Sequence, residues 1–162
     1  MARVILGLDP GIADTGYGVI KDEGSKLTCL TYGSIKTGAK EDLAHRLETL
    51  FLSLDKIIKE YKPDSASIEE LFFNKNVKTA LIVGQARGVI LLALKLNKIP
   101  MSEFTPGQVK QAVSSYGRAS KNQVLNMVKM ILKLKEIPKP DDAADALAIA
   151  ICALNNRLYQ KN

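Results

Sequence analysis

Histidine and cysteine are both scarce in this sequence. The single histidine, His45, excludes a zinc site built on several imidazoles and argues against a Ser-His-Asp triad. Cys29 and Cys152 are far apart and neither belongs to a C-x-x-C motif, so we expect two small buried apolar side chains in a reducing compartment. Any chemistry must therefore rest on carboxylates, lysines or backbone groups.

Long apolar runs are also missing. No uninterrupted apolar segment has the length of a bilayer span, and Met1-Ala2-Arg3 leads directly into a strand-like run, unlike a signal peptide. We therefore expect a cytoplasmic protein without membrane contact. The chain has 162 residues, of which 46% are hydrophobic, and this predicts a single domain over 1–162 with its own core.

Positive charge is in excess, with 23 Lys and Arg against 17 Asp and Glu, a net charge of +6. Such an excess suits a nucleic-acid partner, because cationic side chains release the counterions condensed on phosphates. Many soluble proteins are basic without binding DNA, so charge alone favours such a partner only modestly.

The residue pattern predicts an α/β fold. Three strands with short connections come first, followed by a helix, a strand, a long helix, a fifth strand and three further helices. This order implies a five-stranded mixed sheet, with three strands antiparallel and two joined by helical crossovers, flanked by helices. The predicted strands are Arg3–Asp9, 16–21, 27–35, 65–70 and 99–104, and the predicted helices are 42–61, Val77–Leu96, 108–113, 120–134 and 141–158.

Acidic residues close two of these strands. Asp9 ends the first strand before Pro10-Gly11, which suits a crevice at the edge of a sheet, although turn chemistry explains Asp-Pro-Gly equally well. Glu69 and Glu70 end the fourth strand. Neighbouring strand residues face opposite sides, so only one of the two shares a face with Asp9, and spacing does not choose between them.

The last helix carries a sharper signal, because it is apolar almost all round and yet has acids in its first turn. Asp142 and Asp145 lie on one face, and burying two like charges costs several kcal/mol unless a cation or a proton compensates. Asp141 or Asp142 could instead cap the helix, and Asp141 with Asp145 is an equally possible pair. A divalent metal ion would explain the buried acids.

A site whose ligands are all oxygen atoms favours Mg²⁺ over zinc, and Mn²⁺ can substitute for Mg²⁺. Two such ions that share an aspartate would assist in-line displacement at a phosphodiester. The basic surface would then be needed to attract a substrate that the acids repel.

Four segments resemble the RuvC family of crossover-junction endodeoxyribonucleases, and the similarity runs over essentially the whole chain. They are L-G-L-D-P-G-I-A-D-T-G-Y-G at 6–18, I-E-E-L-F-F-N-K-N at 68–76, G-Q-A-R-G at 84–88 and D-A-A-D-A-L-A-I-A at 142–150. The resemblance implies a ribonuclease H-like fold and a homodimer that nicks four-way branched DNA, the Holliday junction, symmetrically during recombination and repair. It also implies a branch-migration complex of the RuvA and RuvB type as a partner.

The resemblance implies which acids form the metal-binding catalytic set. It favours Glu69 over Glu70 and Asp142 over Asp141. The implied set is Asp9, Glu69, Asp142 and Asp145.

The resemblance also implies DNA contacts. Lys110 and Lys121 match positions that contact phosphates near the scissile bond, although on their own they read as ordinary solvated helix lysines. Phe72 matches an aromatic residue that stacks on a base of the opened junction, with Phe73 as a possible helper. Arg87 could serve a subunit interface or DNA.

Two other hypotheses compete with the nuclease. An actin-like ATPase module would use the L-D-P-G-x-x-x-T-G segment as a phosphate-binding hairpin, but the chain lacks the second half needed to enclose ATP. A catalytically silent branched-DNA-binding protein of the same fold would not need its complete set of acids.

Overall fold

A computed structural model of the protein describes residues 1–70 and 76–159. Within these ranges the strands form one sheet in the order β3-β2-β1-β4-β5. β1 to β3 are antiparallel, whereas β4 runs parallel to both β1 and β5. The predicted mixed sheet is therefore confirmed. Its strands are β1 (Arg3–Asp9), β2 (Asp14–Asp22), β3 (Leu27–Lys36), β4 (Ser65–Glu69) and β5 (Met101–Phe104).

Four of the helices described begin directly after a capping side chain. Asp42, Asn76, Thr105 and Ser120 each accept a hydrogen bond from a backbone N–H in the first turn of the helix that follows. One helix ends before its predicted limit of 134, because Lys133 adopts a left-handed conformation with a φ of 52°. The helices are α1 (Leu43–Tyr61), α2 (Val77–Leu96), α3 (Pro106–Ser114), α4 (Lys121–Ile131) and α5 (Asp141–Tyr159).

The sheet separates two apolar cores. Along β1, Leu6 and Leu8 are buried against α1 and α2, while Ile5 is buried against α3, α4 and α5. This alternation follows from the two-residue period of a strand. It places Gly7 and Asp9 on the same face as Ile5, which is the face that α5 covers.

α5 packs on β1 and β2 through glycines. A Cβ atom at Gly7 would overlap the backbone carbonyl of Ala146, and one at Gly16 would overlap that of Asp142. At Gly18, an added Cβ would lie 2.6 Å from Cδ2 of Leu147. The helix backbone therefore touches the sheet directly, and this contact brings the first turn of α5 next to the end of β1.

α2 departs from the expectation that no segment has the length and composition of a membrane span. It has 20 residues and a mean hydropathy of 1.6, enough by length and composition alone to cross a bilayer, although Lys78, Arg87 and Lys95 interrupt its apolar sequence. Only 22% of the apolar window is buried. Its exposed apolar residues are Val77, Leu81, Leu92 and Leu96.

Replacing Gly7 with alanine tests the contact between α5 and the sheet. The new methyl group would meet backbone atoms of Ala146 and Ala150, which can move only if the helix shifts. We expect Gly7→Ala to lower the free energy of unfolding by about 1–3 kcal/mol in urea titrations followed by circular dichroism.

The matched control is Gly107→Ala in α3. Its Cβ would meet only Oγ1 of Thr105, at 3.9 Å, and we expect the unfolding free energy to stay constant or to rise by up to about 1 kcal/mol. Equal stability of the Gly7 and Gly107 variants would show that α5 has room above the sheet.

Candidate metal centre

Three carboxylates converge where β1 ends. One oxygen each from Asp9, Asp142 and Asp145 lies within 4.8 Å of the other two. Asp9 pairs across the sheet with Gly16, the residue whose missing side chain admits the backbone of Asp142. The glycine contact therefore brings acids that are more than a hundred residues apart in sequence into one cluster.

Asp141 is not part of this cluster. Its side chain is 65% exposed, against 35% for Asp145, and its Oδ2 lies 3.1 Å from Nζ of Lys121. Both Asp141 and Asp142 belong to the first turn of α5, but only Asp142 turns toward Asp9. Of the two pairs that spacing allowed, the structure brings Asp142 and Asp145 to Asp9.

Glu69 lies on the same face of the sheet and Glu70 does not. The parallel register pairs Leu8 with Ile68, so Asp9 and Glu69 follow at the same level of the sheet. Ser67, two residues earlier on the same face, donates a hydrogen bond to the carbonyl of Ile149 in α5 at 3.1 Å. Glu69 stands outside the 4.8 Å cluster but lines the same cleft as Asp145.

The environment of the site disfavours the ionised form of its acids. Burial, then the charges of Asp145, Glu69 and Asp142, raises the pKa of Asp9 to about 8. Burial is also the largest cause of the raised pKa values of Glu69, Asp142 and Asp145. Buried carboxylates without a cation favour protonation. This set of oxygen donors therefore fits a hard divalent metal ion, which would let them ionise together.

Two lysines face the acids. Lys121 Nζ lies 3.7 Å from Oδ2 of Asp145, and its charge lowers the pKa of Asp9, while the charge of Lys110 lowers that of Glu69. Both lysines line a cleft of about 240 Å³ together with Glu69 and Asp145. They therefore lie beside the acids and not on a remote helix surface.

Asp14 is a further carboxylate near Asp142, and it was not predicted from the sequence. It starts β2 two residues before Gly16, and its charge contributes, after burial, to the raised pKa of Asp142. Its Oδ1 is buried and has no hydrogen-bond partner among residues 1–70 and 76–159. The sequence feature that could have identified Asp14 is its two-residue spacing from Gly16 and Gly18, which places all three on one face of β2.

Two further predictions have different outcomes. Cys152 is buried as expected, but Cys29 is only half-buried. Phe72 and Phe73 lie outside the described residues, so their predicted stacking stays a prediction.

Comparison with known proteins identifies the family of the chain. The family model for crossover junction endodeoxyribonuclease RuvC matches residues 5–153. The RuvC protein of Heliobacterium modesticaldum is 56% identical over 153 residues, 94% of each chain. That of Alkaliphilus metalliredigens is 52% identical over 157 residues, covering 97% of this chain and 96% of its own.

A solved structure matches equally fully. T. thermophilus RuvC in complex with Holliday junction substrate superimposes with a TM-score of 0.89, at 34% identity and over 96% of both chains. The ribonuclease H-like fold that the resemblance implied is thereby confirmed.

The raised pKa of Asp9 predicts that the metal-free protein loses stability as the pH rises. The pKa is about 8 in the folded chain against a usual 3.8, so the folded state binds this proton more tightly than the unfolded state. The stabilising contribution is complete below about pH 4 and is lost as the pH passes about 8. In EDTA, calorimetry should therefore show Asp9→Asn melting above the wild type at about pH 8.5.

Asp22 provides a control of opposite sign. Burial opposes the shift, but the Gly24 backbone N–H and the Arg3 guanidinium hold the pKa of Asp22 below its usual value. Asp22→Asn should therefore melt below the wild type at the same pH. An Asp9→Asn variant that also melts lower would contradict the electrostatic account of the cluster.

Proposed function

The chain belongs to the RuvC family of crossover junction endodeoxyribonucleases, and on this premise we propose that it is a Mg²⁺-dependent endonuclease that resolves four-way DNA junctions by symmetric paired nicks. The observation that carries the proposal is the convergence of oxygens from Asp9, Asp142 and Asp145 within 4.8 Å. A relative of this fold was solved in complex with Holliday junction substrate, which supports branched DNA as the substrate.

The catalytic and metal-binding set comprises four carboxylates. Carboxylate oxygens at the ends of β1 and β4 and at positions 142 and 145 of α5 give rigid ligands for two Mg²⁺ ions, and Mn²⁺ can substitute. When bound, the ions supply charge stabilisation at the phosphodiester and lower the pKa of attacking water. The set is Asp9, Glu69, Asp142 and Asp145.

Side chains other than the acids bind the DNA. Lys110 and Lys121 line the cleft of the acids and hold substrate phosphates beside the scissile bond. They also offset the repulsion between phosphates and carboxylates, as the net charge of +6 does over a longer range. Phe72 stacks on a base of the opened junction, a contact worth about 1–3 kcal/mol.

Symmetric nicking requires two sites, and a homodimer supplies them. The exposed apolar residues of α2 support this assembly, since Val77, Leu81 and Leu92 share a stripe with Gly84 and Gly88. Small residues let a second helix approach closely. The stripe then faces a second copy in the cytoplasm, and a branch-migration complex of the RuvA and RuvB type brings the junction to the dimer.

Neutralising single acids tests the catalytic set. We expect Glu69→Gln and Asp145→Asn to lose cleavage of a four-way junction in Mg²⁺, because each variant removes a charged metal ligand. Junction binding in gel shifts should remain close to wild type, since the lysines are untouched.

Glu70→Gln is the matched control, because Glu70 adjoins Glu69 but is exposed on the other side of the strand. It should cleave like the wild type. Full cleavage by Asp145→Asn would remove Asp145 from the set, and a wild type that binds junctions without cutting them in Mg²⁺ would establish a silent DNA-binding protein.

Substrate choice tests the junction assignment. Cleavage of four-way, Y-shaped and linear duplex DNA should be compared in Mg²⁺ and in EDTA. We expect paired nicks in the four-way junction, little cutting of linear duplex and no cutting in EDTA. Equal cutting of linear duplex would contradict a junction-specific enzyme.

A further inference from the structure

Arg87 approaches the metal centre from behind the sheet. It lies on α2, which packs on the face opposite α5, and its side chain is only 12% exposed. Its Nη1 donates a hydrogen bond to the backbone carbonyl of Glu69 at 2.8 Å, and its Nη2 lies 2.7 Å from Oε1 of Glu103. Its guanidinium is thus engaged within the chain, whereas the sequence suggested a subunit interface or DNA.

The carbonyl of Glu69 needs a donor because of the residue that follows Asp9. Ala66 and Glu70 donate their N–H groups toward β5, so the backbone groups of Ser67 and Glu69 point toward β1. With Leu8 opposite Ile68, the next N–H along β1 that would reach the Glu69 carbonyl belongs to residue 10. That residue is Pro10, which has no N–H.

We propose that Arg87 is a positioning residue of the metal centre: it supplies the hydrogen bond that Pro10 cannot make and so fixes the backbone of Glu69, whose carboxylate faces the site. Glu103 holds the guanidinium in turn. The inference rests on the proposed function, because it assumes that Glu69 binds metal.

The expected effect follows from the precision that a metal site requires. Glu69 is the last residue of β4, so a lost hydrogen bond there leaves its backbone free to move where the strand ends. Groups that orient metal ligands from behind typically change metal affinity or activity by about 10- to 100-fold when removed. DNA binding should change little, because Arg87 is largely buried and its guanidinium is held by groups of this chain.

The experiment compares Arg87→Met with Arg3→Met. Arg3 forms a cross-strand ion pair with Asp22 at 2.8 Å, at the other end of β1, so its loss affects stability without reaching the site. The first readout is the melting temperature of the DNA-free protein against Mn²⁺ concentration. The second is the cleavage rate at saturating junction, and the third is the junction Kd in EDTA.

For Arg87→Met we expect the Mn²⁺ midpoint to rise about 10-fold and the cleavage rate to fall about 10- to 100-fold, with an unchanged junction Kd. Arg3→Met should melt earlier and keep the wild-type Mn²⁺ midpoint. Glu103→Gln should show a smaller effect than Arg87→Met, since it leaves the bond to Glu69 in place.

A wild-type Mn²⁺ midpoint in Arg87→Met would overturn the inference, whatever its melting temperature. If that variant does not fold, Arg87→Lys decides by the same criterion. Lysine keeps the charge, but its single ammonium group does not hold the Glu69 carbonyl and the Glu103 carboxylate in the planar geometry of the two guanidinium nitrogens. Glu69→Gln separates a failure of the positioning role of Arg87 from a failure of the proposed function. If Glu69→Gln loses Mn²⁺ binding and cleavage while Arg87→Met keeps both, only the positioning role fails. A wild type without Mn²⁺ binding or cleavage would overturn the proposed function as well.

Discussion

The direct contact between the backbone of α5 and the β1–β2 pair is the constraint on which the site depends. Gly7, Gly16 and Gly18 remove the side chains that would otherwise separate helix from sheet. The apolar length of α5 then packs across the sheet and fixes the height and rotation of its first turn. The positions of Asp142 and Asp145 beside Asp9 are therefore a consequence of packing and not of attraction among the acids.

Electrostatics in fact opposes this arrangement. Burial and mutual repulsion raise the pKa values of the clustered acids, and Lys110 and Lys121 compensate only in part. The apolar cores on both faces of the sheet outweigh this local cost, which is how proteins commonly retain unfavourable groups at functional sites. The remaining imbalance favours a divalent cation, so the same repulsion that destabilises the metal-free site would strengthen the binding of a metal ion there.

Local patterns predicted the elements well, because strand and helix periodicity depend on neighbouring residues. The bounds of β1 and α2 agree with the sequence, and the acids at strand and helix ends were recognised. Residue spacing left the choice between Glu69 and Glu70 open, and only the family resemblance favoured Glu69. Its structural basis is the register of β1 and β4, which no local pattern contains. The same holds for the relation of Arg87 to Pro10 and for the buried oxygen of Asp14, since each depends on residues brought together only by the fold.

The position of α5 in the chain has a consequence for biosynthesis. Asp9 is made well before Asp145, so a ribosome-bound chain carries the face of β1 and β2 that holds Gly7 and Gly16 before α5 can cover it. A polypeptide that stops short of residue 142 lacks half of the proposed metal ligands. On the proposed assignment, a truncated or still-growing chain has no complete metal site until α5 docks on the sheet.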